Sequence, residues 1–424
     1  MNFSRRGFIK GALAAAGAAA GSRMGGPLIK NAFADPGEPS HLVHIYFNGG
    51  LNAFFAGQAR LFANKAFGVV DNKDTIKEIG NGLTTDASTF GTLPQYAFDH
   101  WGAFGIKHGQ ALHTTPQNQK SGGERALLLN GDHSFLNELA AAMGGDSAYK
   151  AVYFGDREVA YNKDIKAFQG VPLQRISDLK EALKSTGGAA NDPNDPSRAS
   201  AAAALETSQA MSQREIGSNP GRLMPMTEAY NASVNSLKKA PPKPVTFEEL
   251  DTAYGLGGQS DITKVYAAML AGAELMIRSG GSNVVHIGDY GLASWDFHQL
   301  SGGTSQNVTF SRNKFKGNVG GFGSSRIKPL TTFINRMLNQ PDRNVVVAVS
   351  GELVRLPNGD HGDGTVALLF GKYVKPGISY GVTSSAARFD PDTPGPKGFW
   401  AAAAAALKVS GQPFGPNPHS KLIA

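Results

Sequence analysis

Ile262-Thr263-Lys264-Val265-Tyr266-Ala267-Ala268-Met269, continuing through Ala273 and Met276 to Gly280-Gly281 and then Asn283-Val284-Val285-His286-Ile287, decides the fold. Ile262, Val265, Tyr266, Met269, Ala273 and Met276 keep the three-and-four spacing of one helix face. Ser260 or Asp261 is placed to cap its first turn, and the paired glycines to end its last. The run from Asn283 to Ile287 reads as a strand covered on both faces. The unit recurs: a helix from about Ile327 to Leu338 precedes the strand Asn344-Val345-Val346-Val347-Ala348-Val349. Helix followed by buried strand, repeated, predicts an α/β three-layer sandwich with a largely parallel central sheet.

Working outward, Leu42 to Phe47 is a first strand that stops at the turn signal Asn48-Gly49-Gly50. His41 and His44 lie on it, are expected on one side, and carry no assigned chemistry. A helix is expected from Gly123 to Met143, a short strand from Ala151 to Phe154, and an alanine-rich helix at Ala401 to Leu407. Residues about 186–245 differ in composition: Gly187-Gly188, Asn191-Asp192-Pro193-Asn194-Asp195-Pro196, an alanine run, then Pro241-Pro242-Lys243-Pro244. They read as a helical insertion bounded by stiff, turn-rich linkers. Neither an internal repeat nor a phosphate loop is present.

The N-terminus reads as an export signal. Ser4-Arg5-Arg6-Gly7-Phe8-Ile9-Lys10 is a twin-arginine pattern, the Gly11–Gly21 run is apolar but short, and Ala32-Phe33-Ala34 offers a cleavage site. Residues 1–34 are therefore expected to be a signal peptide and 35–424 a single mature domain starting at Asp35. The implied partners are a twin-arginine translocase and a signal peptidase, and the destination is the periplasm or the cell exterior. Of the formal charge of +7, Arg5, Arg6, Lys10, Arg23 and Lys30 precede the cut, which leaves the mature chain near +2. That balance predicts no nucleic-acid partner. With no cysteine in the chain, disulfides, thiolate-bound zinc and thiol nucleophiles are excluded. No later stretch is long enough for a stable membrane span.

Open α/β sheets bind ligands beyond the carboxyl ends of their strands, and the unusual residues fall there. Asp296 and His298 follow the strand ending at Ile287. Glu352, Asp360, His361 and Asp363 follow the strand ending at Val349. Carboxylates and imidazoles of this kind can converge on one divalent ion: zinc or manganese for mixed nitrogen and oxygen ligands, calcium for oxygen alone. The same residues can instead serve only as caps and loop hydrogen bonds. His113 is a further polar candidate, and Trp295 reads as a wall against the sheet.

Several of these stretches, taken in order, resemble a family of twin-arginine-exported bacterial proteins related to sulfatases and the alkaline phosphatase superfamily. The matching segments are Asn48-Gly49-Gly50-Leu51-Asn52, Lys120-Ser121-Gly122, Ser294-Trp295-Asp296-Phe297-His298, Ser350-Gly351-Glu352-Leu353-Val354-Arg355 and Gly359-Asp360-His361-Gly362-Asp363-Gly364. The resemblance implies an alkaline phosphatase-like domain and a metal-assisted hydrolase of phosphate or sulfate esters acting on an anionic ester substrate. It also implies Ser121 as nucleophile at a helix start, with Lys120 holding the oxyanion. Read without the family, Ser121 with Glu124 is a capping box. The departures are specific: Asn52 stands where the family has an aspartate, Gly122 where it has a histidine, and Asp363 where it has a second histidine. They lower the expectation to one divalent metal or, in a degenerate site, none. The alternative is a non-catalytic periplasmic or surface binding or assembly protein on the same fold.

Overall fold

The computed structural model describes residues 38–51, 76–114, 121–145, 147, 149–156, 159–162, 164–185, 203, 207, 210, 245–289, 295, 311–317, 325–354, 361–381 and 389–424. The chain divides into a body of residues 32–186 and 245–424 and a second unit of residues 1–31 and 187–244. Residues 1–34, expected to be a signal peptide, and nearly all of the second unit lie outside the described residues.

In the body, chain order is β1 (Ser40–Phe47), β2 (Ile76–Gly80), β3 (Leu83–Asp86), α1 (Gln95–Asp99), β4 (Trp101–Lys107), α2 (Gly123–Leu128), β5 (Leu129–Asn130), β6 (His133–Ser134) and α3 (Phe135–Met143). Then come β7 (Tyr149–Phe154), β8 (Leu173–Arg175), α4 (Leu179–Ser185), α5 (Phe247–Tyr254), α6 (Tyr266–Arg278), β9 (Ser282–Asp289), α7 (Ile327–Phe333), β10 (Asn344–Gly351), β11 (Gly364–Phe370), β12 (Gly377–Ser379) and α8 (Pro396–Ala406). The central sheet has eight strands in the order β12-β4-β11-β10-β1-β9-β7-β8. Pairings from β10 through β1, β9 and β7 to β8 are all parallel, and β11 alone runs against its neighbours β10 and β4. The largely parallel α/β sheet expected from the helix–strand repeats is thus present.

Side-chain alternation divides the interior into two cores. Val43, Ile45 and Phe47 of β1 join Val285 and Ile287 of β9 on one face, where α6 and α7 pack. Leu42 and Tyr46 join Val284 and Val346 on the other, beneath α3 and α8. Helix α6 is buried from Tyr266 to Ile277. At about 25 cal/mol per Å² of apolar surface, such burial dominates the stability of its layer. Glu274, 0 % exposed, is neutralised within that layer by Arg278 and Arg336, and Arg336 projects from the π-helical turn Ile334–Leu338 that continues α7. Among the described residues, no helix is long and apolar enough to cross a membrane.

Three local expectations are corrected. The helix expected from Gly123 to Met143 breaks after Leu128, where Gly131-Asp132 (Gly131 φ +70°) makes the two-residue turn of the short β5–β6 hairpin. Glycine adopts the positive φ of that turn without steric cost. Helix α6 starts at Tyr266, because Asp261 bonds the Thr263 amide (2.7 Å) in a local turn instead of capping. His41 and His44, three residues apart on a strand of period two, face opposite sides: His41 reaches the Ser282 carbonyl, and His44 lies in the second core beside His286.

Candidate functional site at the carboxyl ends of the strands

Phe47, the last residue of β1, lies opposite both Gly351 of β10 and Asp289 of β9, so three strand ends meet. The turn Asn48-Gly49-Gly50 fits between them only because it is glycine. Gly50 has φ +117°, and a Cβ there would stand 2.6 Å from the Leu353 carbonyl oxygen. The Asn48 amide donates to the Asp289 carbonyl (3.3 Å), and the Asn48 carbonyl accepts from the Trp295 amide (2.5 Å).

Glu352, one residue past β10 and 1 % exposed, is the centre of the site. Its Oε1 accepts from His113 Nδ1, and its Oε2 accepts from the Glu124 amide (3.2 Å). Its carbonyl accepts from His108 Nε2 (2.7 Å); the Gln110 amide donates to the other ring nitrogen of His108 (3.2 Å), which fixes that ring's tautomer. Burial lowers the His108 pKa and keeps the ring neutral. His361 packs edge-on to His113, ring centroids 4.2 Å apart, and its Nδ1 donates to the Ala111 carbonyl (3.1 Å). The chain therefore brings together Glu352, His361 and His113, the last from 239 residues away. Asp363 joins them through its carbonyl oxygen, which accepts from the amides of His108 and Gly109 (3.1 and 2.8 Å).

Helix α2 begins against this cluster, and its start corrects the capping-box alternative for Ser121. The N-cap is Gly122, at φ +107°, and no side chain of the N-cap bonds the helix. The first amides are satisfied from outside: Gly123 by the Leu112 carbonyl (2.9 Å), Glu124 by Glu352, and Arg125 by Thr114 Oγ1 (3.1 Å). Glu124 turns away to accept from the Val159 amide (2.8 Å). A Cβ on Gly122 would stand 2.5 Å from both the Thr114 amide nitrogen and its hydroxyl, so glycine is required for the loop to approach. With three amides committed, this six-residue helix has none of them left for an anion. Ser121 instead lines a cleft of about 240 Å³ with Gln110, Gly122, Arg125, Ala126, Leu129 and Gly131.

On the opposite face of the sheet, Asp289 at the end of β9 holds Arg326 through two contacts (2.9 and 3.2 Å). Lys314 stacks over Trp295, 4.3 Å from a ring centroid, and burial drops its pKa to about 8. Trp295, 2 % exposed and edge-on to Phe47 (4.6 Å), is the wall the sequence suggested. Asn52, Lys120, Asp296, His298 and Asp360 lie outside the described residues. Among the described residues no group of three or more His, Asp or Glu side chains could hold a metal ion.

His108, Gln110, Thr114 and Arg125 were not singled out by sequence. His108 carries a signal, closing a strand-like run beside a glycine; the other three acquire their places only when the loop folds against α2. No family model, curated protein or solved structure matches the chain.

Proposed function

We propose that the protein is an exported hydrolase of phosphate or sulfate esters working at the cleft beside Ser121. The observation that supports this reading is the convergence of Glu352, His113 and His361 at the start of α2, where Thr114, next to His113 in the chain, bonds the Ser121 carbonyl (3.0 Å). Arg125 in the same cleft supplies a fork of donors suited to the oxygens of a tetrahedral anion. Ser121 Oγ attacks phosphorus or sulfur, and its proton passes to His113 Nε2 while Glu352 holds the opposite ring nitrogen. The bond to the ester oxygen breaks, the alcohol leaves with that proton, and water releases the group from the serine. A single divalent metal, part of this proposal and completed by Asp296, His298 or Asp360, would lower the hydroxyl pKa when bound.

Elemental analysis of the natively exported protein, paired with aryl-phosphate and aryl-sulfate assays, tests the reading. Turnover that Ser121→Ala abolishes supports it, and absence of both turnover and metal overturns it. One observation favours the second reading, a non-catalytic binding or assembly protein: the Glu352 carboxylate and the first amides of α2 are consumed by internal bonds. Asp296→Ala and His361→Ala separate the two. A metal site loses metal and melting temperature together, whereas a vestigial site changes in neither.

A further inference from the structure

Glu352 is held by its main chain as well as by its carboxylate. It follows Gly351, the last residue of β10 that pairs with β1, so its carbonyl must be satisfied from outside that ladder. His108 Nε2 does this at 2.7 Å. The bond joins chain ends that are not neighbours, because β11 lies between β4, which His108 follows, and β10. Strands two places apart in a sheet are separated by roughly 10 Å, so a side chain and not the ladder has to join them. The start of β11 is drawn into the same turn: the Asp363 carbonyl accepts from the amides of His108 and Gly109. From the other side the Glu352 carbonyl presses on α2, where a Cβ on Gly123 would stand 2.9 Å from its oxygen.

The same ring reaches the cleft. Its second nitrogen accepts from the amide of Gln110 (3.2 Å), and Gln110 lines the cleft with Ser121. A ring that donates at one nitrogen and accepts at the other is a neutral imidazole in one tautomer. Beyond that carbonyl, the Glu352 side chain meets His113 Nδ1 with one oxygen and the Glu124 amide with the other. The direction of the carboxylate therefore depends on where the main chain is pinned.

We infer that His108 is a positioning residue: by holding the Glu352 carbonyl it aims the carboxylate at His113, and it acts through Glu352 without touching a substrate. The inference rests on the proposed function for the importance of the His113–Glu352 pair and adds the residue that orients it.

Nuclear magnetic resonance of the full exported protein, labelled with nitrogen-15 at histidine, tests it without turnover. The His113 Nδ1 proton, bonded to a carboxylate, should give a far-downfield ring signal that His113→Gln removes. His108→Gln places an amide nitrogen near the position of Nε2 and should keep that signal. His108→Asn keeps an acceptor for the Gln110 amide in a local turn but is too short to reach Glu352. It should lower the population that gives the signal about tenfold, as loss of one buried hydrogen bond allows, while circular dichroism stays native. Should His108→Asn fail to fold, Gly123→Ala takes its place, because its methyl displaces the same carbonyl and leaves His108 intact. A signal that survives in the folded Asn or Ala variant, that is lost equally in His108→Gln, or that is missing from the wild type overturns the inference. Aryl-phosphate and aryl-sulfate assays on the same preparations judge the hydrolase reading separately. The expected signals without turnover sustain the inference and sink that reading; turnover with a signal indifferent to His108 does the reverse.

Discussion

The same sheet holds histidines beside serines in two places, and their fates differ. In the interior, His44 Nδ1 lies 2.9 Å from His286 Nδ1, and His44 Nε2 lies 2.8 Å from Ser350 Oγ, walled by Trp400, Tyr46 and Tyr153. At the carboxyl edge, His113 lies on Glu352, close to Ser121, and the cleft opens to solvent. Both clusters bring residues together across more than 200 positions of chain. The interior one is fully buried, so burial drives His44 down to about pKa 3 and His286 well below its usual value. A base that cannot take a proton near neutrality is a packing element. A carboxylate partner and an opening, rather than the His and Ser types themselves, make the edge cluster the candidate site.

The largest expected effect comes from acid, and it falls on the interior cluster. His44 titrates at 6.5 when unfolded and near 3 when folded, so between those values the unfolded chain binds more protons and stability falls as the pH drops. That loss is about 1.4 kcal/mol per pH unit, or about 3 kcal/mol for His44 alone by pH 4. His286 adds in the same direction, as do His41 and His419, each held near 4, first of all by burial. Urea unfolding between pH 7.5 and 4 should show the decline, and His44→Gln should make it shallower. A flat profile in the wild type would break the comparison.

Next is Ser121→Ala, expected to lower ester turnover by about 10³-fold, roughly 4 kcal/mol in the barrier. Unfolding free energy should stay within about 0.5 kcal/mol, because Ser121 does not cap α2. A true cap would lose about 1 kcal/mol. Loss of stability with turnover intact would return the serine to the capping role.

Glu352→Gln sharpens the contrast from the other side. The amide keeps the shape and one acceptor but removes the charge that faces His113. Turnover should fall by about 10²-fold, with a smaller loss of stability from the weakened bond to the Glu124 amide. Circular dichroism and steady-state kinetics on the same preparation separate the two. Unchanged turnover would mean that the carboxylate serves the fold alone.

Sequence patterns reveal the interior of the sheet better than its edge. Strands β9 and β10 are covered on both faces, so continuous apolar runs announce them, and the bulk of Trp295 foretells a buried wall. Strand β4, Trp101-Gly-Ala-Phe-Gly-Ile-Lys107, is diluted by glycines, and a Cβ on Gly102 would stand 2.7 Å from the Phe104 ring. That dilution hides the strand, and with it the β11–β4 pairing that brings His108 to Glu352. The partnership of His113 with Glu352 has no local signature, since it depends on a loop closing across 239 residues. The pairing of His44 with His286 depends on strand register in the same way, because Cα partners are fixed by the sheet and not by either segment.

The smallest expected effect is the most discriminating of the four. The Thr114 hydroxyl donates to the Ser121 carbonyl (3.0 Å) and accepts from the Arg125 amide (3.1 Å), so it ties the nucleophile candidate to the first turn of α2. Thr114→Val keeps the branched shape and removes both bonds. Each neutral hydrogen bond contributes about 1 kcal/mol net, and the Arg125 amide would be left to water or to nothing. A stability loss of about 1–2 kcal/mol follows whether or not the site is catalytic. The discriminating readout is kinetic. If Ser121 is positioned for attack, the looser backbone should lower kcat about three- to tenfold and change KM little, because in that reading Arg125 holds the anion. If the cleft only binds, ligand affinity should drop with stability and no kcat effect will exist to measure. A rise in KM at constant kcat would place Thr114 in recognition instead, and would move the catalytic serine away from position 121.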